Sequence, residues 1–240
     1  NIIKGKTELY SWLKNNEGTV FINNDYPYLK DNVAGIKHLI SYGTTDADYT
    51  GKLSNNERYL EVEIVKGTKE IKTIATQLVG AYNLPNVLSA LCIGKTFEVP
   101  EEDIKTALEN YQSSNSRSQW LEKDGNYIIL DAYNANPTSM KAAIENFAGM
   151  PVQNKILILG SMMELGATAD KEHQDLIHLI ENFSWNQVIL TGKGFDNLRH
   201  NFLHFTNAQE VAEWIKNNQL NNVHILIKGS RSMKMEEVLN

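Results

Sequence analysis

Cysteine, excess positive charge, long apolar runs and the common phosphate-loop signatures are scarce or missing from this sequence. Each shortage excludes something. One cysteine among 240 residues, Cys92, excludes an internal disulfide and suits a reducing compartment. It lies in an apolar helical run and reads as a small core residue. A net charge of −6 argues against a general nucleic-acid or membrane-surface binder. No apolar run approaches a bilayer span and no signal peptide opens the sequence, so a cytoplasmic protein is expected. There is no GxxxxGKS/T, no GxGxxG and no nucleophile elbow. Gly94-Lys95-Thr96 resembles the end of a phosphate loop, but it lacks the upstream glycine and follows a helix. The six histidines (His38, His173, His178, His200, His204 and His224) are scattered. His200 and His204 stand four apart in a loop-to-strand segment, so a zinc pair is not expected.

Hydrophobic residues make up 42% of the chain and charged residues 22%, so a sizeable core is expected. The length is comfortable for two domains. The first residues, NIIKGKTELY, have no initiator Met and an amphipathic pattern already under way, so a fragment of a longer protein is expected.

Ile2, Ile3, Leu9, Trp12 and Leu13 form a rough helical stripe, followed by a strand at 19–23 and the turn Asn24-Asp25-Tyr26-Pro27. The pattern predicts a helix over 28–39. From 41 to 75 the period changes: Leu60, Val62 and Ile64 alternate with Glu61 and Glu63, and Lys66-Gly67-Thr68-Lys69 reads as a hairpin loop. This segment is expected to be antiparallel. Helices resume at Asn83, with Leu84, Val87, Leu88 and Leu91 on one face and Gly94 just past the end. The next helix, 101–111, turns Ile104, Ala107, Leu108 and Tyr111 inward and carries three acids in its first turn. The polar, aperiodic run 112–118 is the candidate linker, giving domains 1–112 and 113–240.

Beyond the linker, strands at 127–130, 155–159, 187–190 and 223–227, with a shorter one at 202–205, alternate with helices at 137–148, 170–183, 208–217 and 232–239. Apolar strands in such alternation imply a parallel sheet covered on both faces. Three strand ends carry small or polar groups. In YIILDAYNANPTSM (127–140), Asp131 ends the strand, Asn136 is a plausible N-cap and Pro137 a first helical residue. LGSMMELG (159–166) is a glycine-flanked loop. In KGSR (228–231), Gly229 permits close backbone approach, Ser230 can cap, and Arg231 could hold a carboxylate or phosphate in a bidentate fork. Alone, the first reads equally as a well-capped turn or a ligand site, and KGSR reads as a basic, capped surface loop. Converging on the carboxyl ends of parallel strands, they form a candidate ligand site.

DAYNANPTSM from Asp131, LGSMMELG from Leu159 with His173 beyond it, and KGSRSMKMEEV from Lys228 occur here in one order. With GAYNLPNVLSAL from Gly80, NIIKGKTELY and FINNDYPYL, the set resembles the Mur ligases of peptidoglycan synthesis. The resemblance implies an α/β chain. Residues 1–112 would be the C-terminal part of a central ATPase domain, helices plus an antiparallel β segment. Residues 113–240 would be a Rossmann-like C-terminal domain with a mostly parallel sheet. The N-terminal part of the same protein, with the phosphate loop, would lie upstream. The implied reaction is ATP-dependent amide formation with Mg2+, joining UDP-N-acetylmuramoyl-tripeptide to D-Ala-D-Ala through an acyl phosphate. A related ligase with another acceptor, such as the folylpolyglutamate type, is the alternative, as is a nucleotide-closing module without turnover.

By the same resemblance, Asn83 faces the nucleotide, although it is equally placed to cap the helix that follows. Arg117 reaches ATP from just after the linker, and Asp131 accepts from the ribose hydroxyls. Tyr133, Asn134 and Asn136 share that turn. Lys6 matches a lysine that is carbamylated in several Mur ligases and helps to hold a second magnesium. Lys228, Ser230 and Arg231 would face the incoming dipeptide or the acyl phosphate, with Arg231 on a carboxylate. Tyr82 stands where the family commonly has His, Ser161 where an acid is usual, Ser116 where Gly is usual, and Leu130 where a second acid is frequent.

Overall fold

Two sheets organise the chain. The computed structural model describes the backbone of residues 2–240 and the side chains of residue 5 and residues 7–240. Two compact units emerge: Asn1–Gln77 with Ala81–Tyr111, and Leu78–Gly80 with Gln112–Asn240.

The first unit holds α1 (Ile2–Asn15), β1 (Thr19–Asn23), β2 (His38–Gly43), β3 (Tyr49–Asn55), β4 (Glu61–Lys66), β5 (Thr73–Ala75), α2 (Leu84–Thr96) and α3 (Glu101–Asn110). Its sheet runs β1-β2-β3-β4-β5. The β3–β4 and β4–β5 pairs are antiparallel as expected, whereas β2 pairs in parallel with both β1 and β3. The helix expected over 28–39 is instead a 3-10 turn, Pro27–Val33, followed by β2. Gly35 stands at φ +80°, which ends the turn, and Leu39 and Ile40 then pair with Val20 and Phe21. Among the described residues of α1, Tyr10 and Leu13 pack on Val20, Ile22 and Val33, and the side chains of Ile2 and Ile3 lie outside the described residues. Leu9 and Trp12 are exposed.

Helix α2 buries Val87, Leu88, Leu91 and Cys92, and burial pushes the Cys92 thiol up to about 12. It does not stop at Gly94. A Cβ there would lie 3.0 Å from the Ile104 side chain, so the glycine permits close packing of α3. Of the residues expected inward on α3, Ile104 is buried and Leu108 half-buried, while Ala107 and Tyr111 are exposed. Glu101 does more than complement a dipole. Its carboxylate accepts the main-chain N–H groups of Lys69, Glu70 and Ile71 and pairs with Lys95 at 2.7 Å. Burial alone would raise its pKa. The Lys95 ammonium and the three amides outweigh that and hold it at about 2.

The second unit holds β6 (Gln119–Lys123), β7 (Asn126–Asp131), α4 (Pro137–Gly149), β8 (Lys155–Gly160), α5 (Ala169–Glu181), β9 (Gln187–Thr191), β10 (Leu203–Phe205), α6 (Ala208–Asn218) and β11 (His224–Lys228). Its sheet order is β10-β9-β8-β11-β7-β6, parallel except for the edge strand β6. Sequence pattern did not reveal β6. The helix expected over 232–239 is two 3-10 turns, Arg231–Met233 and Met235–Leu239, parted by Lys234 at φ +47°. A left-handed residue cannot continue a helix. Met235 and Val238 nonetheless bury against Ile128, Ile156, Ile225 and α6. Helices α4 and α5 bury Met140, Ile144 and Phe147, and Leu176, Ile177 and Ile180, respectively. Among the described residues no helix is long and apolar enough to cross a membrane.

Strand β11 enters between β7 and β8, so Lys228 is in register with Asp131 on one side and Leu159 on the other. The three loops singled out from the sequence therefore leave the sheet at one level.

Candidate functional site at the strand-end rim

Parallel neighbours in register point their side chains to the same face. That places Lys228 beside Asp131, with Nζ 2.5 Å from Oδ2 and also donating to the Asn134 carbonyl at 3.1 Å. Only 2% of the Lys228 side chain is exposed. A charge so enclosed needs a close counter-charge and further hydrogen bonds, and both are present. The other carboxylate oxygen of Asp131 accepts the Ser118 amide at 3.1 Å. Two carboxylate oxygens offer about four lone-pair positions, so Asp131 retains room for a hydroxyl donor.

The turn after β7 is held from three directions. Asn136 caps α4: its Oδ1 accepts the Ser139 amide at 2.9 Å, and Ser139 Oγ accepts the Asn136 amide at 3.1 Å. The reciprocal bonds and Pro137 at the first turn make a complete capping box. Asn134 Oδ1 accepts the Ala135 amide at 2.8 Å. The Tyr133 amide donates to the Ser116 carbonyl at 3.1 Å, tying the segment before β6 to the turn. Above this bond the Arg117 guanidinium lies 3.7 Å from the centre of the Tyr133 ring. Both side chains are exposed, so the rim presents a planar cation on an aromatic face.

The loop after β8 is fixed by three successive amides. Ser161 N–H donates to the Thr191 carbonyl, Met162 N–H to His173 Nε2 and Met163 N–H to Ser230 Oγ, each at 2.9 Å. The Ser161 hydroxyl also accepts the Gly194 amide at 3.0 Å, a neutral role at the position where the resemblance implied an acid.

The structure thus brings Arg117, Asp131, Tyr133, Asn134, Asn136 and Lys228 together. Lys228 and Ser230, expected to face a substrate, are buried and engaged with Asp131 and Met163. Arg231 stands outermost, 64% exposed, with Nη1 3.0 Å from Glu236 Oε1. Asn83 lies in the first unit and makes no cap bond. Its φ and ψ of −85° and −7° are helical, and Oδ1 instead accepts from Asn86 at 2.9 Å. Lys6 falls on α1, but its side chain is outside the described residues. Sequence reasoning missed Ser118, Thr191 and Gly194, whose contributions are mostly main-chain and leave no side-chain signal. It also missed Ser139, which the Asn-x-x-Ser spacing could have disclosed. Among the described residues no group of three or more His, Cys, Asp or Glu could hold a metal ion.

Two family models match the sequence: the Mur ligase middle domain over residues 1–94 and the Mur ligase glutamate ligase domain over 116–231. The chain is 31% identical over 251 residues to UDP-N-acetylmuramoyl-tripeptide–D-alanyl-D-alanine ligase of Bacillus subtilis (strain 168), covering 99% of this chain and 54% of that protein. The Escherichia coli (strain K12) protein of the same name is 26% identical, with the same coverage of each. Among solved structures, MurF from Acinetobacter baumannii superposes with a TM-score of 0.81 at 23% identity, over 99% of this chain and 54% of that one. MurF from Thermotoga maritima, crystallised with ADP, gives 0.79 at 20% identity, over 92% and 52%. These structures share the fold. The chain spans about half the length of the curated relatives it matches.

Proposed function

We propose, for a chain that belongs to the Mur ligase family through its middle-domain and glutamate-ligase segments, that it forms part of an ATP-dependent ligase. That enzyme adds D-Ala-D-Ala to UDP-N-acetylmuramoyl-tripeptide. Residues 1–112 are read as the C-terminal part of the middle domain and 113–240 as the C-terminal domain. The observation that carries the reading is the convergence of three family motifs on one strand-end rim in register. A nucleotide-linked precursor and ATP as substrates accord with a cytoplasmic enzyme.

In the proposed reaction the terminal carboxylate of the tripeptide takes the γ-phosphoryl group of ATP. The amine of D-Ala-D-Ala then attacks the acyl carbon, and phosphate leaves as the amide forms. Arg117 stacked on Tyr133 suits the base or phosphate side of the nucleotide, because a guanidinium offers both a flat face and fixed donors. Asp131, held and neutralised by Lys228, retains lone pairs for a ribose hydroxyl. Asn134 and Asn136 line the same turn, and Asn83 is proposed as a nucleotide-binding residue on the family resemblance alone. Lys228 acts through Asp131, Ser230 through the loop after β8, and Arg231 is the proposed carboxylate ligand. The described residues supply no metal cage of their own, and Lys6, if carbamylated, is the proposed contribution to Mg2+.

The test is reconstitution. A protein spanning the full length of the relatives, with ATP, Mg2+, the tripeptide precursor and D-Ala-D-Ala, should yield the pentapeptide precursor. No product with any stem peptide would overturn the reading, and product only with another acceptor would move it to a related ligase.

A further inference from the structure

His173 is the one polar member of the buried face of α5, among Leu176, Ile177 and Ile180, and only 1% of it is exposed. Its two ring nitrogens have partners of opposite kind. Nδ1 lies 2.8 Å from the Ala169 carbonyl, which can only accept, so Nδ1 carries the ring proton. Nε2 lies 2.9 Å from the Met162 amide, which can only donate, so Nε2 is bare. The ring is thereby neutral and confined to one tautomer. Phe195 packs edge-on against it, with centroids 4.8 Å apart at 89°. Gly194 fits beside it because a Cβ at that position would lie 2.5 Å from Nε2.

The bond matters because of where it falls. Met162 is the middle of the three clamped amides. The Ser161 amide is held by β9 and the Met163 amide by the loop after β11. His173 supplies the link to α5. At the end of the clamp the Met163 side chain is exposed, as is Glu164 directly after it, at φ +63°. An apolar residue at 173 would fill the same space and leave the buried Met162 amide without an acceptor.

We propose that His173 is a positioning residue: a neutral, Nδ1-protonated imidazole whose Nε2 accepts the Met162 amide. It fixes the course of the chain leaving β8, so that Met163 and Glu164 are presented beside Ser230. Its meaning for catalysis rests on the ligase reading, in which this rim receives the acceptor. The hydrogen bond does not.

The test uses the 240-residue chain itself. Side-chain 15N spectra of the neutral ring should show Nδ1 protonated and Nε2 bare. Exchange of the Met162 amide should accelerate about tenfold in His173→Leu, the loss expected for one buried hydrogen bond. His173→Gln carries a carbonyl oxygen near the Nε2 position and should recover most of the protection. An Nε2-protonated tautomer, unchanged Met162 exchange in His173→Leu, or a Gln variant no better than Leu would each overturn the proposal. If His173→Leu does not fold, the wild-type tautomer and the Gln variant decide. None of these readouts needs ATP or ligase activity, so failure here is distinct from failure of the ligase reading.

Discussion

The Lys228 ammonium lies 2.5 Å from Oδ2 of Asp131, across two strand ends in register. This pair sets the electrostatics of the rim before any ligand arrives. The carboxylate charge is offset from within the sheet, while the carboxylate keeps lone pairs for a donor.

Lys228→Met should therefore destabilise the chain by about 3–5 kcal/mol, because it leaves a carboxylate without its buried partner. The double variant Lys228→Met/Asp131→Asn should cost less than the sum of the two single changes. Urea unfolding of the four proteins measures the coupling.

Nucleotide affinity offers a second check, made on a protein of the relatives' full length. Asp131→Ala and Arg117→Ala should each weaken ATP binding. Tyr133→Phe keeps the ring under Arg117 and should change little, whereas Tyr133→Ala removes a contact worth about 0.5–1 kcal/mol at an exposed site. Titration calorimetry with ATP separates these cases; equal losses for Phe and Ala would remove stacking from the explanation.

The capping box makes a local prediction. Asn136→Ala should cost about 1 kcal/mol, and Asn136→Asp much less, since Asp can still accept the Ser139 amide. Thermal unfolding of both variants tests it.

Glu101 predicts a pH dependence in the first unit. Its pKa is held at about 2, below the ordinary 4.5, so in the unfolded chain it takes up a proton at higher pH than in the folded one. The stabilisation is fully present above the ordinary value and is lost as pH falls from there through the folded pKa. The stability gap between wild type and Glu101→Gln should be constant near neutrality and shrink in that acidic window. Denaturation at a series of pH values tests this, and a gap that stays constant through the acidic window would overturn it.

Gly194→Ala tests the packing around the clamp. Its Cβ would lie 2.5 Å from His173 Nε2 and 2.9 Å from Ser161 Oγ, so a cost of about 1–3 kcal/mol is expected. Hydrogen exchange of Met162 should quicken together with the loss of stability.

Much of the architecture was legible because its causes are local. Apolar runs at 127–130 and 155–159 needed only their own residues to read as buried strands, and Asn136-Pro137 marked the start of a helix by capping chemistry alone. Pattern failed where neighbours distant in sequence decide. Residues 28–39 had helical spacing, yet β1 supplied a parallel edge that took 38–39 into a strand. Gly94 had the look of a helix end, but its smallness serves the approach of Ile104.

The candidate site divides the same way. Residue types at the strand ends marked Asp131 and the Lys228–Arg231 loop as chemically interesting, and the resemblance to the Mur ligases added Arg117 and Tyr133. They could not say that Lys228 would be enclosed, that Ser230 would hold the Met163 amide, or that His173 would accept from Met162. Asp131 and Lys228 are 97 residues apart, and only the insertion of β11 between β7 and β8 makes them neighbours. Local propensity and periodicity are written in the chain, whereas the partner of a buried charge or an orphan amide depends on strand order and register, which only the folded sheet decides.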